Sequence, residues 1–446
     1  MASLSLPRST RSGLARLGPL APLALLTLLA SPAAAGAQTT ALDARVARAM
    51  PQVIAWRRDF HEHPELSNEE VRTAKQVADA LRKMGIEVRE GVARTGVVGV
   101  LRGGKPGPVV ALRADMDALP VTEEVDLPFK SKVRATFNGQ DVGVMHACGH
   151  DAHTAMLLGA AEVLSGMRAE IAGTVKFIFQ PAEEGASIPS GEQSGAELMI
   201  SQGVMENPKV SAVFGIHVWP DEPGAVSYRP GGAMAAGDGL LITVHGKQTH
   251  GAQPWRGVDP VVVAAQIVNA LQAITARQTD ITAAPAVVTV ATIHGGVRGN
   301  IIPDSVVMTG TIRTFDAAMR KDVHLRVKRT AQMVAQASGA TADVVIGIGS
   351  EIVVNDPALV EKMAPTIRRS SGAVRPNGIW MASEDFSLYQ KVVPGVFYFL
   401  GVNKPGVKAE DAPANHSTRF FVNEDALPTG VKTYALLALD FLALPK

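Results

Sequence analysis

Cysteine is almost absent from this sequence, which has one such residue, Cys148, among 446. An internal disulfide is therefore excluded, although exported proteins often contain them. The single thiol is left with two roles, either a chemical one or burial as a small apolar group.

The sequence also lacks an excess of charge of either sign. Basic residues number 43 and acidic residues 42, and removal of residues 1–37 would leave 40 against 42. Because binding to nucleic acid depends on a basic stripe, we expect no nucleic-acid partner. Hydrophobic residues make up 46% of the chain, which excludes a disordered or fibrous protein, and the length favours two or more domains.

No apolar run is long enough to span a bilayer comfortably. The N-terminal run ends near Ala30, follows three arginines and precedes the small residues 35–37. This pattern predicts a signal peptide over residues 1–37, cleaved before Gln38, and an uncleaved anchor is the alternative. We therefore expect an exported protein, periplasmic or secreted, that has no stable membrane anchor once the signal is removed.

Two common catalytic motifs are missing. The chain has no Gly-x-Ser-x-Gly elbow, which excludes a serine hydrolase of that type. It also has no glycine loop of the kind that cradles phosphate.

The order of the apolar patterns predicts an α/β fold. From Gln38 to about Pro223, helix-like stretches alternate with apolar, β-rich runs. This alternation is typical of a mixed, largely parallel sheet flanked by helices. The predicted strands of this part are 97–100, 109–112, 175–179 and 213–218. Helices are predicted over 154–164 in this part and over 357–370 later in the chain.

A small α+β domain interrupts that pattern. Glycine and proline cluster near 223–232, and a helix with Asp259 as its N-cap and Pro260 in its first turn then follows a strand at 240–244. We assign residues 227–340 to this inserted domain. Residues 38–226 and 341–446 then form one discontinuous catalytic domain.

Residues 145–153 read Met-His-Ala-Cys-Gly-His-Asp-Ala-His. Gly149 permits a tight backbone there, so that Cys148 and His150 can converge on one metal ion. A thiolate bound to a metal would account for an unpaired cysteine in an exported protein. A buried, inert cysteine beside a core histidine is the alternative, and the clustering favours the metal site.

Further candidate ligands follow along the chain. The apolar strand that ends in Gln-Pro-Ala-Glu-Glu-Gly delivers Glu183 and Glu184 into a turn, where one carboxylate can bind metal while the other moves a proton. His217 lies near the carboxyl end of a buried strand, where ligand sites of α/β sheets gather. His416 lies in a polar loop before the last helix. Taken singly, each of these histidines or acidic turns is more often structural than functional.

Paired aspartates end the strand that contains residues 109–112. Asp115 and Asp117 are candidates for metal ligands, for groups that orient ligands or for a strand-end cap. The residues alone leave these three roles open.

In this order, the motifs resemble the hippurate and auxin-conjugate amidohydrolases, a branch of the aminoacylase and carboxypeptidase G superfamily of metallopeptidases. The resemblance covers essentially the whole chain after the predicted signal, from the Arg57–Leu66 segment, Arg-Arg-Asp-Phe-His-Glu-His-Pro-Glu-Leu, to Asn-His-Ser at 415–417. It implies that the inserted domain is a lid and dimerisation domain and that the protein is a homodimer.

The resemblance also implies a site for two divalent metal ions, zinc or manganese, with cobalt and nickel as alternatives. The implied metal ligands are Cys148, His150, Glu184, His217 and His416. Glu183 would be the general base and acid, and Asp117 would orient the ligands. Whether Asp115 touches metal stays open, since other branches have a histidine there.

The inserted domain is implied to complete the catalytic site. His250 matches the histidine with which relatives polarise the scissile carbonyl. Asn300 and Arg313 lie where relatives bind the substrate's carboxylate or peptide oxygen, although a turn residue and a solvated strand residue are the alternatives. His61, His63 and His153 belong to the matching segments without an assigned role, and capping or packing is the default. For His153, which follows the ligand cluster, support of the neighbouring ligands is the alternative.

We therefore expect a metal-dependent amidohydrolase that uses a metal-activated water to cleave the amide bond of N-acyl amino acids, either hippurate-like or N-acetyl substrates. An exported metallo-dipeptidase or carboxypeptidase of the same fold is the first alternative. A periplasmic metal-binding protein without catalysis is the second, but it would need neither Glu183 nor His250.

Overall fold

The computed structural model describes residues 32–185 and 193–445. The predicted signal peptide lies outside the described residues as far as residue 31, and residues 32–37 form the start of the first helix. Among the described helices, none combines the length and the apolar character that crossing a membrane requires.

The described residues form nine α-helices and eighteen strands, numbered here in chain order. The helices are α1 (Pro32–Glu62), α2 (Val71–Lys83), α3 (His150–Ser165), α4 (Gly195–Ser201), α5 (Pro260–Ala273), α6 (Ala317–Ala337), α7 (Pro357–Ser370), α8 (Phe386–Gln390) and α9 (Leu427–Leu442). The strands are β1 (Glu87–Val92), β2 (Gly96–Arg102), β3 (Lys105–Asp115), β4 (Arg134–Phe137), β5 (Gln140–Gly143), β6 (Ala172–Gln180), β7 (Ala212–Trp219), β8 (Val226–Tyr228), β9 (Gly231–Met234), β10 (Ala236–His245), β11 (Thr249–His250), β12 (Ala286–Gly295), β13 (Ile301–Ile302), β14 (Ser305–Thr314), β15 (Thr341–Gly347), β16 (Val353–Asn355), β17 (Val374–Pro376) and β18 (Gly395–Gly401).

The larger sheet has eight strands in the order β1-β2-β6-β3-β7-β18-β8-β17. Its centre is parallel, because β3 pairs in parallel with both β6 and β7, and β7 pairs in parallel with β18. The outer pairs β1-β2, β2-β6 and β18-β8 are antiparallel. The predicted mixed, largely parallel sheet flanked by helices is confirmed.

The parallel centre determines where polar residues can gather. Strands β3, β6 and β7 end at Asp115, Gln180 and Trp219. Because the carboxyl ends of parallel strands meet at one edge, the segments that follow them converge there. The interior of the strands is mostly apolar, as expected for a sheet covered on both faces, and the buried Arg113 of β3 and Lys176 of β6 are exceptions.

A separate antiparallel sheet has four strands in the order β12-β14-β10-β15, and α5 and α6 pack against it around their own core. Asp259 caps α5 as predicted, since its carboxylate accepts hydrogen bonds from the N–H groups of Val261 and Val262. Strand β15 pairs with β10 in this sheet. The predicted domain boundary at residue 340 therefore falls just before a strand of the smaller sheet.

Candidate metal centre

Segments from distant parts of the chain meet at the carboxyl edge of the larger sheet. Cys148 and His150 lie at the start of α3, which begins at His150 rather than at the predicted Thr154. Glu183 and Glu184 follow β6, and His217 lies within β7. As predicted, Gly149 has a left-handed backbone, with φ of 91°, and a Cβ atom there would lie 2.2 Å from the Val218 side chain.

The five predicted ligands make up two of the groups of side chains that could hold a metal ion, and these two groups share one residue. Cys148, His150 and His217 make the first group, and Cys148, Glu184 and His416 make the second. Within each group the ligand atoms lie within 4.8 Å of one another. The structure therefore brings all five predicted ligands together, with the thiol of Cys148 between the two groups.

The imidazoles are oriented for metal binding. His217 Nδ1 donates to the carbonyl of Val218 at 2.7 Å, and its Nε2 lies 3.3 Å from Cys148 Sγ. His150 Nδ1 donates to the carbonyl of Asp117 at 2.8 Å, while its buried Nε2 has no hydrogen-bond partner among the described residues. Each ring thus keeps a nitrogen lone pair directed into the cluster, which is the arrangement a metal ligand needs.

The donor set fits two divalent ions. Thiolate, imidazole and carboxylate together suit zinc and also admit manganese, cobalt and nickel. Burial, together with the Glu184 and Glu183 carboxylates, raises the pKa of Cys148 well above its usual value, so the thiolate needs nearby cations to form at neutral pH.

Asp117 connects several parts of the cluster. Its Oδ1 lies 3.1 Å from His150 Nδ1, and its Oδ2 accepts from Ser67 Oγ at 2.6 Å and from the backbone N–H of Glu184 at 2.9 Å. This position beside two candidate ligands is the one that the predicted orienting role requires.

Asp115 and His153 support the cluster from the side of the sheet. His153 Nδ1 donates to Asp115 at 2.6 Å, and His153 Nε2 accepts from the backbone N–H of Val218 at 2.8 Å. Both ring nitrogens of His153 are therefore engaged, which leaves no lone pair for a metal. Asp115 lies 3.8 Å from His150 Nε2 and also bonds Arg113.

Glu183 lies among other carboxylates. Burial raises its pKa well above the usual value, and the nearby Glu384 and Glu184 carboxylates raise it further. A carboxylate whose affinity for a proton is raised can act as a general base near neutral pH. This is consistent with the predicted role of Glu183.

A buried charge cluster next to this site, Arg113 with Asp115, Glu384 and Asp385, was not predicted from the sequence. Arg113 is fully buried, and its guanidinium bonds Asp115 at 2.6 Å, Gln180 at 2.8 Å and Asp385 at 2.9 Å, with Glu384 at 3.0 Å. An arginine inside an apolar strand was the available signal, because such a residue needs buried acidic partners.

Of the three site residues predicted in the small domain, Arg313 lies in a cavity with Glu183. His250 and Asn300 do not. The cavity has a volume of about 540 Å³, and the guanidinium of Arg313 bonds Ser383 Oγ. His250 and Asn300 are exposed and do not line that cavity. They lie near each other, because Gly251 N–H donates to the carbonyl of Asn300 at 2.8 Å.

Comparison with known proteins supports the family resemblance found in the sequence. A family model described as "Peptidase family M20/M25/M40" matches residues 111–440. The chain is 44% identical over 392 residues to thermostable carboxypeptidase 2 of Saccharolobus solfataricus, a match that covers 87% of this chain and 95% of the relative. It is 38% identical over 402 residues to IAA-amino acid hydrolase ILR1-like 2 of Arabidopsis thaliana, covering 88% of this chain and 86% of the relative.

A solved structure with a similar fold is described as binding two metal ions. A Bacillus subtilis protein described as a dinuclear metal binding peptidase from the M20 family matches with a TM-score of 0.72 and 36% identity, covering 89% of this chain and 99% of that one. Together with the two ligand groups around Cys148, this supports two metal ions. The predicted family resemblance and enzyme class are confirmed: the chain belongs to peptidase family M20/M25/M40 and is a metal-dependent amidohydrolase of the class that acts on N-acyl amino acids or peptides.

Proposed function

We propose that this protein hydrolyses the amide bond of N-acyl amino acids, hippurate-like or N-acetylated, at the Cys148 centre. The observation that carries the proposal is that one cavity joins Glu183, beside the ligand groups, to Arg313 of the small domain. A base beside a metal cluster and a cation for a free carboxylate are the two features that such a substrate requires.

Cys148, His150, Glu184, His217 and His416 would hold two divalent ions, with zinc or manganese as the proposed metals and cobalt or nickel as alternatives. When bound, two such ions lower the pKa of an attacking water and polarise the scissile carbonyl. Asp117 keeps His150 and the backbone of Glu184 in place for this purpose.

Glu183 takes the proton of the attacking water and returns it to the leaving amino acid nitrogen. Its proton affinity supports both steps, because burial and the adjacent carboxylates raise its pKa. The Arg113 cluster holds Glu384 and Asp385 close to Glu183 and so maintains that environment.

Arg313 binds the carboxylate of the substrate. Burial lowers the pKa of this guanidinium, but it remains a cation at neutral pH and lies half-buried in the cavity with Glu183. Gly237 permits the approach of Arg313 to Ser383, since a Cβ atom there would lie 2.3 Å from Arg313 Nη1. Asn300 is the second proposed substrate contact.

His250 donates a hydrogen bond to the oxyanion that develops on the carbonyl oxygen. Since this residue is exposed, we propose that it acts after closure of the small domain or at a site of the partner in a homodimer. Edge strand β12 supports a dimer, because the apolar side chains of Val287 and Ile293 are exposed there.

We propose that the protein is exported to the periplasm or secreted. Three arginines before an apolar run and small residues at 35–37 support this proposal. N-terminal sequencing of the protein from its native compartment tests it, since a mature chain that begins at Gln38 is expected.

Peptides are the second candidate class of substrate, because the relative at 44% identity is named a carboxypeptidase. The test uses protein stripped of metal and then supplied with zinc, manganese, cobalt or nickel. Release of amino acid is measured from N-acetyl and N-benzoyl amino acids and from dipeptides, each as the free acid and as the C-terminal amide.

We expect hydrolysis that depends on metal, with N-acyl amino acids cleaved faster than dipeptides and free acids faster than amides. Faster cleavage of dipeptides would support the carboxypeptidase alternative. If folded protein with two bound ions cleaves no member of the panel, the proposed substrate class is wrong.

A further inference from the structure

Helix α1 places two polar side chains in an apolar interior. Arg57 is 1% exposed and His61 is 2% exposed, and they are four residues apart on one face of the helix. Their neighbours Trp56 and Phe60 belong to the main hydrophobic core. Burial of such groups is costly unless they are paired, so their partners indicate what they do.

Both side chains bind Asp151. Arg57 Nε lies 2.8 Å from Asp151 Oδ2, and His61 Nδ1 donates to the same oxygen at 2.9 Å. Burial opposes the charged imidazole, but the Asp151 carboxylate outweighs it and raises the pKa of His61. Asp151 is the residue after His150 in the first turn of α3.

The second nitrogen of His61 reaches another segment. His61 Nε2 donates to Glu123 Oε1 at 3.0 Å, and Glu123 Oε2 accepts from the backbone N–H of Ser131 at 2.7 Å. The next residue, Glu124, donates its backbone N–H to the carbonyl of Thr418 at 2.7 Å. Thr418 is two residues from His416, so this chain of contacts ends beside the other ligand group.

Helix geometry explains how a contact at Asp151 affects the ligands. Successive residues of an α-helix are rotated by about 100°, so a side chain held on one side determines where its neighbours point. With Asp151 held against α1, His150 and His153 face the sheet edge, where they bond Asp117 and Asp115. Rotation of this first turn would move the His150 imidazole out of the ligand group.

We propose that His61 is a positioning residue that holds the segments of His150 and His416 at the separation required for two metal ions. It acts through Asp151 on one side and through Glu123 on the other, and it touches neither metal nor substrate. The proposal rests on the ligand assignment made for the proposed function.

The test measures metal affinity rather than hydrolysis. Stripped protein is titrated with Co²⁺ against a chromophoric chelator, and the visible absorption of bound Co²⁺ reports its coordination geometry. We expect His61→Gln to weaken Co²⁺ binding by about 10- to 100-fold, the usual cost of losing a group that orients metal ligands, and to alter the absorption spectrum.

Two controls separate positioning from loss of stability. His63→Gln changes a neighbouring exposed histidine whose Nδ1 bonds the backbone carbonyl of Asp59 and lies 3.7 Å from its carboxylate. This variant should bind Co²⁺ as the parent does. Val327→Ala removes buried volume from the separate core of the small domain and should lower the melting temperature without changing Co²⁺ affinity.

Glu123→Gln provides a second variant that keeps the shape of the side chain if His61→Gln does not fold. We expect it to fold and to weaken Co²⁺ binding by about tenfold. Parental affinity and spectrum in a folded His61→Gln or Glu123→Gln protein would overturn the proposal. If the parent itself bound no Co²⁺, the ligand assignment would be wrong instead, so the two failures are distinguishable.

Discussion

The carboxyl edge of the larger sheet and the exposed end of the small domain differ in the burial of their histidines and in the hydrogen bonds that hold the rings. At the sheet edge, His150, His153 and His217 are buried, and each has a fixed partner for at least one ring nitrogen. On the small domain, His250 is exposed, and its Nδ1 accepts only from the nearby backbone N–H of Ala252 at 3.0 Å.

This difference separates two kinds of functional residue. The metal cluster is organised within one chain, because several elements hold the buried side chains of Cys148, His150 and His217. His250 and Asn300, which we propose as substrate contacts, lie outside the cavity that Glu183 lines. In our proposal they reach the substrate through closure of the small domain or through a second protomer, so we expect substitutions there to change activity without changing metal binding.

The largest effect on activity is expected at Glu183. In Glu183→Gln the proton transfer is lost while the ligand groups remain, so kcat should fall by about 10²- to 10⁴-fold with two ions still bound. Steady-state kinetics and metal analysis of the same preparation measure both quantities. An active Glu183→Gln enzyme would remove the role assigned to this carboxylate.

His250→Ala should lower kcat by about 10²- to 10³-fold, the cost of one lost oxyanion donor, without changing metal content or melting temperature, because the side chain is exposed. His294→Ala, at another exposed histidine of the same domain, serves as the matched control. Light scattering adds a second observation, since a strictly monomeric and fully active enzyme would exclude a role for His250 at a partner's site.

Arg313→Lys should raise KM for free-acid substrates by about tenfold, because lysine cannot form the two-point contact of a guanidinium with a carboxylate. The KM of the corresponding C-terminal amides should hardly change. An equal rise for acids and amides would mean that Arg313 holds the two domains together through Ser383 instead of binding the carboxylate.

The smallest effect is expected at Asp238 and concerns stability. Asp238 connects β10 of the small domain to the segment that follows β15, because its carboxylate accepts the backbone N–H of Gly349 at 3.1 Å. Burial opposes its ionisation, but hydrogen bonds from Arg320 and His324 outweigh it and lower the pKa to about 2. A pKa lowered from about 3.9 contributes roughly 2 kcal/mol above pH 4, and this contribution is lost as pH falls toward 2.

Urea unfolding of the parent and of Asp238→Asn measures that contribution. The parent should be more stable by roughly 2 kcal/mol at pH 7, and the difference should shrink as the pH falls below 4. A difference that does not depend on pH would show that the lost shape or hydrogen bonding of the carboxylate matters, and not its charge.

Local patterns in the sequence predicted most elements well. The helix predicted over 357–370 is found as α7 (Pro357–Ser370), and the predicted central strands lie within longer observed ones. The start of α3 was missed, because its first turn contains His150, Asp151 and His153, which show no apolar periodicity. These polar residues are buried only because other segments supply their partners.

By itself, the sequence determined the chemistry available to this protein. One cysteine, a cluster of histidines and a pair of adjacent glutamates specify a metal site and a base, because side-chain type decides which ions and protons can be bound. Only the tertiary structure decided that Cys148 belongs to two ligand groups and that both ring nitrogens of His153 form hydrogen bonds. It also decided that His61 connects Asp151 to Glu123. These relations join residues far apart in the chain, and their distances depend on strand pairing and helix packing, which local patterns do not contain.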